Sequence, residues 1–283
     1  NGLSEAITRC LPVLLKEGVN GGENARASVL RSEGVVVPVT LINMRVLAIH
    51  DISCFGRCSM QVIIPVLSHF GLQVCPLPTA LLSTHTGGFE GFTFLDLTDE
   101  MKKIMTHWKS LNLRFDAIYS GFLGNAAQID TVSTAIRDFP DMNAVIMVDP
   151  VMGDNGEIYK TYTPEMCAGM HRLCENAHII TPNLTEACLL AGIPYDPSPD
   201  EKKALEILEK VSVICKTGHK AVILHGVSHT TCYPFCCEVR GYKMFRGEYR
   251  KHHRSRAHCI CRKAVRQRIA FASKVPWVCR AQI

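Results

Sequence analysis

From Met44 to about Val227, short β-type runs alternate with amphipathic helical stripes, and this alternation narrows the fold more than anything else in the chain. The runs are Arg45–Ile49, Gln73–Leu77, Ala117–Tyr119, Ala144–Val148, His178–Ile180 and Ala221–Leu224. Between them, Met101, Ile104, Met105, Trp108 and Leu111 recur at the spacing of one buried helix face. Ile129, Val132, Ile136 and Phe139 follow the same period approximately, and Met166, Met170, Leu173 and Cys174 repeat it. Thr98 and Asp99 are candidate caps for the first of these helices. Such alternation predicts βα units wound into an α/β fold with a mostly parallel central sheet. Ligands of these sheets bind beyond the carboxyl ends of the strands. His50-Asp51, Ser120-Gly121, Asp149-Pro150, Thr181-Pro182-Asn183 and His225-Gly226 follow those ends, so the site is expected there.

A chain of 283 residues that is 47% hydrophobic and 20% charged is neither disordered nor collagen-like. No apolar run approaches the roughly 20 residues of a membrane span, and no secretory signal pattern opens the sequence. Cys54, Cys75, Cys167, Cys174 and Cys188 sit singly among apolar residues, which suits reduced core thiols of a cytoplasmic protein. Charge divides unevenly. Of 31 Lys and Arg and 26 Asp and Glu, residues 239–283 hold 13 and one (Glu248), so the remainder holds 18 and 25. We read three parts: a poorly ordered extension over 1–43, a body over 44–228, and a basic, Cys-rich tail over 229–283.

The tail leaves several readings open. Cys232, Cys236, Cys237, Cys259 and Cys261, with His252, His253 and His258, include enough ligands for Zn²⁺ but lack paired CxxC knuckles. Its charge would suit nucleic acid, yet over 240–268, where the charges are densest, interleaved aromatics are limited to Tyr242, Phe245 and Tyr249, which argues against that partner.

Within the body, Asp149-Pro150-Val151-Met152-Gly153-Asp154 puts one carboxylate at a strand end and another five residues on. Two carboxylates on one loop suit Mg²⁺, which prefers few carboxylates, retained waters and substrate phosphates. They could equally cap or solvate the loop. Thr181-Pro182-Asn183-Leu184-Thr185-Glu186 follows the next strand, and Asn183 with Glu186 has capping-box spacing. Glu186 is therefore either a cap or the holder of a metal-bound water. Ser83-Thr84-His85-Thr86-Gly87-Gly88 is a polar loop that could surround a small polar ring.

In this order, His50-Asp51, Pro76-Leu77-Pro78-Thr79 leading to the His85-Thr86-Gly87 loop, Tyr119-Ser120-Gly121-Phe122-Leu123-Gly124, DPVMGD and TPNLTEA resemble the pyridoxal kinase branch of the ribokinase-like superfamily. The related hydroxymethylpyrimidine kinases resemble it nearly as well. The resemblance covers about Met44 to Val227. It implies a three-layer αβα sandwich and ATP-dependent phosphorylation of a hydroxymethyl group on a pyridoxal-type ring. On the matching positions, Asp51, Thr86 and Gly87 would contact the ring. Asp149, Asn183 and Glu186 would lie by the ATP phosphates, with Mg²⁺ near Asp149, Asp154 and Glu186. It also implies a homodimer, without membrane contact.

One departure bears on activity. Members of the superfamily carry, nearer the C-terminus, a Gly-Thr-Gly-Asp-like turn that forms an anion hole and supplies the general base. After Gly226 this sequence has only Gly241 and Gly247, and no Asp follows Asp200. No catalytic base is found, and the break in composition near 229–240 looks like a reading-frame change or fusion. A catalytically dead small-molecule binder is therefore a further reading.

Overall fold

The central strands read as continuous apolar runs because both of their faces are covered: Val46, Leu47, Ala48 and Ile49 are each wholly buried. The structure is a computed structural model. It describes residues 44–214 and 221–224, and the strands Val29–Ser32, Val35–Pro38, Phe235–Glu238 and Lys243–Arg246. A surface helix over Ile7–Lys16, the alternative to a poorly ordered start, lies outside the described residues, as do most of the basic tail and all the candidate zinc ligands except Cys236 and Cys237.

In chain order the strands are β1 (Val29–Ser32), β2 (Val35–Pro38), β3 (Arg45–Phe55), β4 (Gln73–Thr84), β5 (Phe94–Asp96), β6 (Phe115–Ser120), β7 (Pro140–Val148), β8 (Gly153–Asp154), β9 (Glu157–Ile158), β10 (Ile179–Ile180), β11 (Ala221–Leu224), β12 (Phe235–Glu238) and β13 (Lys243–Arg246). The helices are α1 (Met60–His69), α2 (Thr98–Ser110), α3 (Ala126–Asp138), α4 (Pro164–Glu175), α5 (Leu184–Ala191) and α6 (Glu201–Ser212). Nine strands form one sheet in the order β13-β12-β11-β10-β7-β6-β3-β4-β5. Pairing is parallel from β4 through β11 and antiparallel at β5, β12 and β13. β1 pairs with β2 and β8 with β9 as separate antiparallel sheets.

Alternate residues of each strand feed two cores. Leu47, Ile49, Ile118, Ile146 and Val148 pack with buried residues of α2 to α6. Val46, Ala48, Ala117, Tyr119, Val145 and Met147 face the other way, toward Met60, Ile63 and Leu67 of α1. This is the mostly parallel α/β fold that the alternation predicts, in the three-layer sandwich that the resemblance implies. Several helices start where the sequence offers a cap: Asn125 accepts from the Gln128 amide, Thr163 from Met166, and Asp200 from Lys203.

Three expectations need correction. Neither Thr98 nor Asp99 caps α2; Asp96 accepts from the Thr98 amide at 2.8 Å, because β5 turns straight into the helix. The first strand does not end at Ile49 but runs on to Phe55, since β3 and β4 continue as a paired ribbon in which Phe55 faces Thr84. Cys54, placed in that ribbon, is consequently exposed, whereas Cys174 and Cys188 are the buried thiols expected.

Candidate active site

The parallel strands start in the middle of the sheet. The chain leaves β3 for β4 on one side, then crosses back to β6 and continues outward through β7, β10 and β11. The reversal lies between β3 and β6, where Ile49 pairs with Ser120. Such a switch point opens a crevice beyond the carboxyl ends of its two strands, the general ligand position of open α/β sheets.

Asp51 stands on the β3 side and is buried. Its Oδ2 accepts from Ser53 Oγ at 2.9 Å, and Gln61 Nε2 of α1 donates to the Ser53 carbonyl at 2.9 Å. The β3–β4 register shifts here: His50 faces Pro78, but Ile52 faces Leu81. Irregularities of this kind re-aim side chains beside sites. Farther along the ribbon, the His85 ring fills the space that a side chain at Gly56 would need. His85 Nδ1 accepts from the Gly87 amide at 3.1 Å, which leaves Nε2 as the donor. Phe89 packs edge-on to both His85 and Phe55, at 4.9 and 5.8 Å between ring centres. Thr86 and Gly87 lie exposed on this loop.

Asp149 follows β7. Its amide donates to the Ser120 carbonyl at 2.8 Å, and Thr181 Oγ1 donates to its Oδ1 at 3.3 Å. Burial lifts its carboxyl from the ordinary 3.8 to about 7, against the Thr181 hydrogen bond. Glu186, in the first turn of α5, is 2% exposed. Burial, then the Asp149 charge, push its carboxyl well above the usual range, while the Asn183 and Met152 amides pull the other way. The capping box is formed: Asn183 Oδ1 accepts from the Glu186 amide at 2.9 Å and Glu186 Oε2 from the Asn183 amide at 2.8 Å. Glu186 Oε1 also accepts from the Met152 amide at 3.3 Å. Asn183 Nδ2 donates to the Gly153 carbonyl, and the Gly156 amide donates to Thr185 Oγ1. The DPVMGD and TPNLTEA loops are thus stitched together.

Asp154 behaves differently. It is exposed on the β8–β9 hairpin, and its Oδ1 accepts from the Asn155 amide. Among the described residues no three His, Cys, Asp or Glu converge to hold a metal ion by themselves. Mg²⁺ does not require such a cage, because phosphates and water complete its octahedron.

Four buried polar atoms among the described residues have no hydrogen-bond partner: His50 Nε2, Thr84 Oγ1, Tyr119 Oη and Tyr162 Oη. Tyr119 lies near the carboxyl end of β6 and His50 beside it in the middle of β3, whereas Thr84 ends β4 at the far end of the ribbon. Tyr162 stands where the Glu186 and Asp149 charges, after burial, raise its hydroxyl. Buried polar groups are rarely left unpaired, and the touching pair His50 and Tyr119 marks a polar spot at the switch point. Buried carboxylates with raised pKa values beside unpaired donors fit a cation that arrives with phosphates and stabilises the ionised forms. The residues fit Mg²⁺ and a nucleotide.

Asp51, Asp149, Asn183 and Glu186 therefore share the carboxyl edge, with Thr86 and Gly87 on the ribbon loop. Sequence reasoning passed over His50, Tyr119, Thr181 and Tyr162 as site residues. His50 and Thr181 were visible as polar strand-end residues, whereas Tyr119 reads as ordinary strand core.

The sequence pattern of the family described as phosphomethylpyrimidine kinase matches residues 64–257. A Bacteroides thetaiotaomicron protein assigned as a phosphomethylpyrimidine kinase, solved with pyridoxal, is 42% identical with a TM-score of 0.68, over 72% of each chain. Pyridoxal kinase from Lactobacillus plantarum is 29% identical with a TM-score of 0.67, over 75% of this chain and 74% of that one. The hydroxymethylpyrimidine/phosphomethylpyrimidine kinase of Bacillus subtilis is 34% identical over 54% of this chain and 55% of its own. The chain spans about half the length of the curated relatives it matches. Among the described residues no helix is long and apolar enough to cross a membrane.

Proposed function

Because the chain belongs to the phosphomethylpyrimidine kinase family, we propose that its site is built to set the 5′-hydroxymethyl group of pyridoxal, pyridoxamine or pyridoxine against the terminal phosphate of Mg²⁺-bound ATP. The observation that carries this reading is the pair of buried carboxylates, Asp149 and Glu186, on two loops stitched together at the carboxyl edge. Phosphoryl transfer asks mainly for positioning and neutralisation of phosphate charge. Asp149 faces the phosphates, Asn183 and Glu186 hold the loop beside it, and Asp154 approaches from the hairpin. Mg²⁺ would supply the charge neutralisation. Asp51, Thr86 and Gly87 orient the ring, and the buried Asp51–Ser53 hydrogen bond gives that end a fixed polar group. The Bacteroides relative solved with pyridoxal supports the choice of ring. A homodimer in the cytoplasm completes the proposal.

A pyrimidine ring is the second reading, favoured by the Bacillus subtilis relative. Isothermal titration tests the assignment. Asp149→Ala is expected to weaken Mg·ATP binding at least tenfold and pyridoxal binding little. Equal losses of both ligands would defeat it, and binding of hydroxymethylpyrimidine without pyridoxal would transfer the site to the second reading.

A further inference from the structure

His50 and Tyr119 belong to neighbouring parallel strands on either side of the switch point, with Ala48 facing Tyr119 and Ile49 facing Ser120. Their side chains fall on the sheet face away from α2 to α6 and touch, ring centres 4.4 Å apart and planes at 64°. Both are buried, His50 at 3% and Tyr119 at 0% exposure. The imidazole lies so close over the end of β6 that a side chain at Gly121 would collide with its Nδ1 and Cε1. A hydrogen bond with the Tyr119 backbone engages the ring. Since Nε2 has no partner, the engaged atom is Nδ1, which donates to the carbonyl. Burial holds the ring neutral, with its pKa lowered to about 3. Nε2 therefore presents a bare lone pair near neutral pH.

The Tyr119 hydroxyl is the complementary orphan. It carries a proton, because burial and the Asp149 charge both raise its pKa, and no acceptor receives that proton. An acceptor without a donor and a donor without an acceptor thus sit on two touching rings. Each has been taken out of water, and buried polar groups left by the protein are commonly completed by an ordered water.

We propose that His50 Nε2 and Tyr119 Oη form a buried site for a single water molecule, which bridges them and ties β3 to β6 beneath the crevice. The bridge fixes the strand residue immediately before Asp51 and the close approach of Gly121. His50 and Tyr119 are thereby positioning residues for the ring end of the site. This last role rests on the function proposed above; the water site does not.

A high-resolution crystal structure of the full chain decides the water directly. One ordered water within hydrogen-bond distance of both atoms is expected. A direct contact between Nε2 and Oη, or a dry gap between them, would overturn the proposal. In solution, Tyr119→Phe removes one oxygen and keeps the ring, and it should move the ¹⁵N resonance of His50 Nε2 toward that of a free acceptor. An unchanged resonance counts against the bridge. Tyr119→Phe should also weaken pyridoxal binding roughly three- to tenfold, the usual worth of one hydrogen bond, with Mg·ATP affinity kept. His50→Gln, which can donate and accept at once, should keep the ring affinity that His50→Leu loses. Equal affinities in these two variants, each folded by circular dichroism, would refute the positioning role. If the unmodified chain binds neither pyridoxal nor hydroxymethylpyrimidine, the functional reading fails and the positioning role falls with it, while the crystal structure still decides the bridge.

Discussion

Asn183 and Glu186 hold each other across the first turn of α5, each side chain accepting from the other's backbone amide at 2.9 and 2.8 Å. The same Glu186 carboxylate takes the Met152 amide through its other oxygen. One residue therefore caps a helix, joins two loops and places a buried acid beside Asp149. The two readings that its spacing left open, cap or metal neighbour, are compatible, because the cap is what keeps the acid buried.

Glu186→Ala and Glu186→Gln separate these roles. Alanine leaves two buried amides without acceptors, so it should cost on the order of 2 kcal/mol in urea unfolding. Glutamine retains an acceptor and the side-chain volume, so its loss should be about 1 kcal/mol or less. Both should weaken Mg·ATP binding at least tenfold by calorimetry. If glutamine keeps full nucleotide affinity, the Glu186 charge has no part in binding.

Asp149 predicts an inverted pH dependence. Its folded pKa, about 7, lies above the ordinary 3.8. Between those values the folded chain keeps a proton that the unfolded chain has lost. The Asp149 contribution is thus fully present below about pH 4 and is lost as pH rises through 7. His50 acts in the opposite sense, since its lowered pKa withdraws stability as pH falls below about 6.5. Comparison with Asp149→Asn isolates the first effect. The variant should be the more stable protein at pH 8, by on the order of a few kcal/mol, and should bind Mg·ATP poorly. Equal stability at pH 5 and pH 8 relative to the unmodified chain would remove the argument.

Much of this fold is legible in the sequence because parallel strands buried on both faces need unbroken apolar runs, as in Val46 to Ile49 and Val145 to Val148. The helices were legible where their stripes are long, as with Met101 and Met105 or Met166 and Met170. Short elements escaped: β8 and β9 have two residues each, too few for any period. The extension of β3 past Asp51 escaped for another reason. Its outer residues pair with β4 rather than with a core, so Ser53, Cys54 and Phe55 carry no apolar pattern. Site residues at strand ends stood out as polar breaks in apolar runs. Tyr119 did not, because a phenol inside a strand looks like core until its hydroxyl is found without a partner.

Gly153 supplies a backbone prediction. It opens the β8–β9 hairpin opposite Ile158, and a Cβ there would strike the Glu157 carbonyl, which cannot move aside without breaking the pairing. Gly153→Ala should therefore destabilise by about 2 kcal/mol or more and displace the carbonyl that receives Asn183 Nδ2. Gly88→Ala is the control: nothing lies within 4 Å of its Cβ, and only its φ of +80° opposes the change. It should cost about 1 kcal/mol and leave Mg·ATP affinity unchanged. Similar nucleotide affinity in both variants would detach the hairpin from the phosphate end.

Activity is where the body and the tail pull apart. The carboxyl edge is where we propose that a ring and phosphates bind, yet no Asp follows Asp200, and the Gly-Thr-Gly-Asp-like turn expected of the superfamily is not among residues 225–283. General-base help is worth about 10²–10⁴ in rate, and one anion-hole donor about 10²–10³. A chain lacking both should turn over several orders of magnitude more slowly than a relative with the turn, even with both substrates bound. We expect this 283-residue chain to bind ligands in part and to show little or no phosphorylation of pyridoxal. A version whose residues after Val227 are replaced by a segment bearing the Gly-Thr-Gly-Asp-like turn should form the 5′-phosphate. The assay is ATP-dependent product formation by both proteins side by side, with hydroxymethylpyrimidine as competitor. Robust turnover by the unmodified chain would mean that another residue supplies the base.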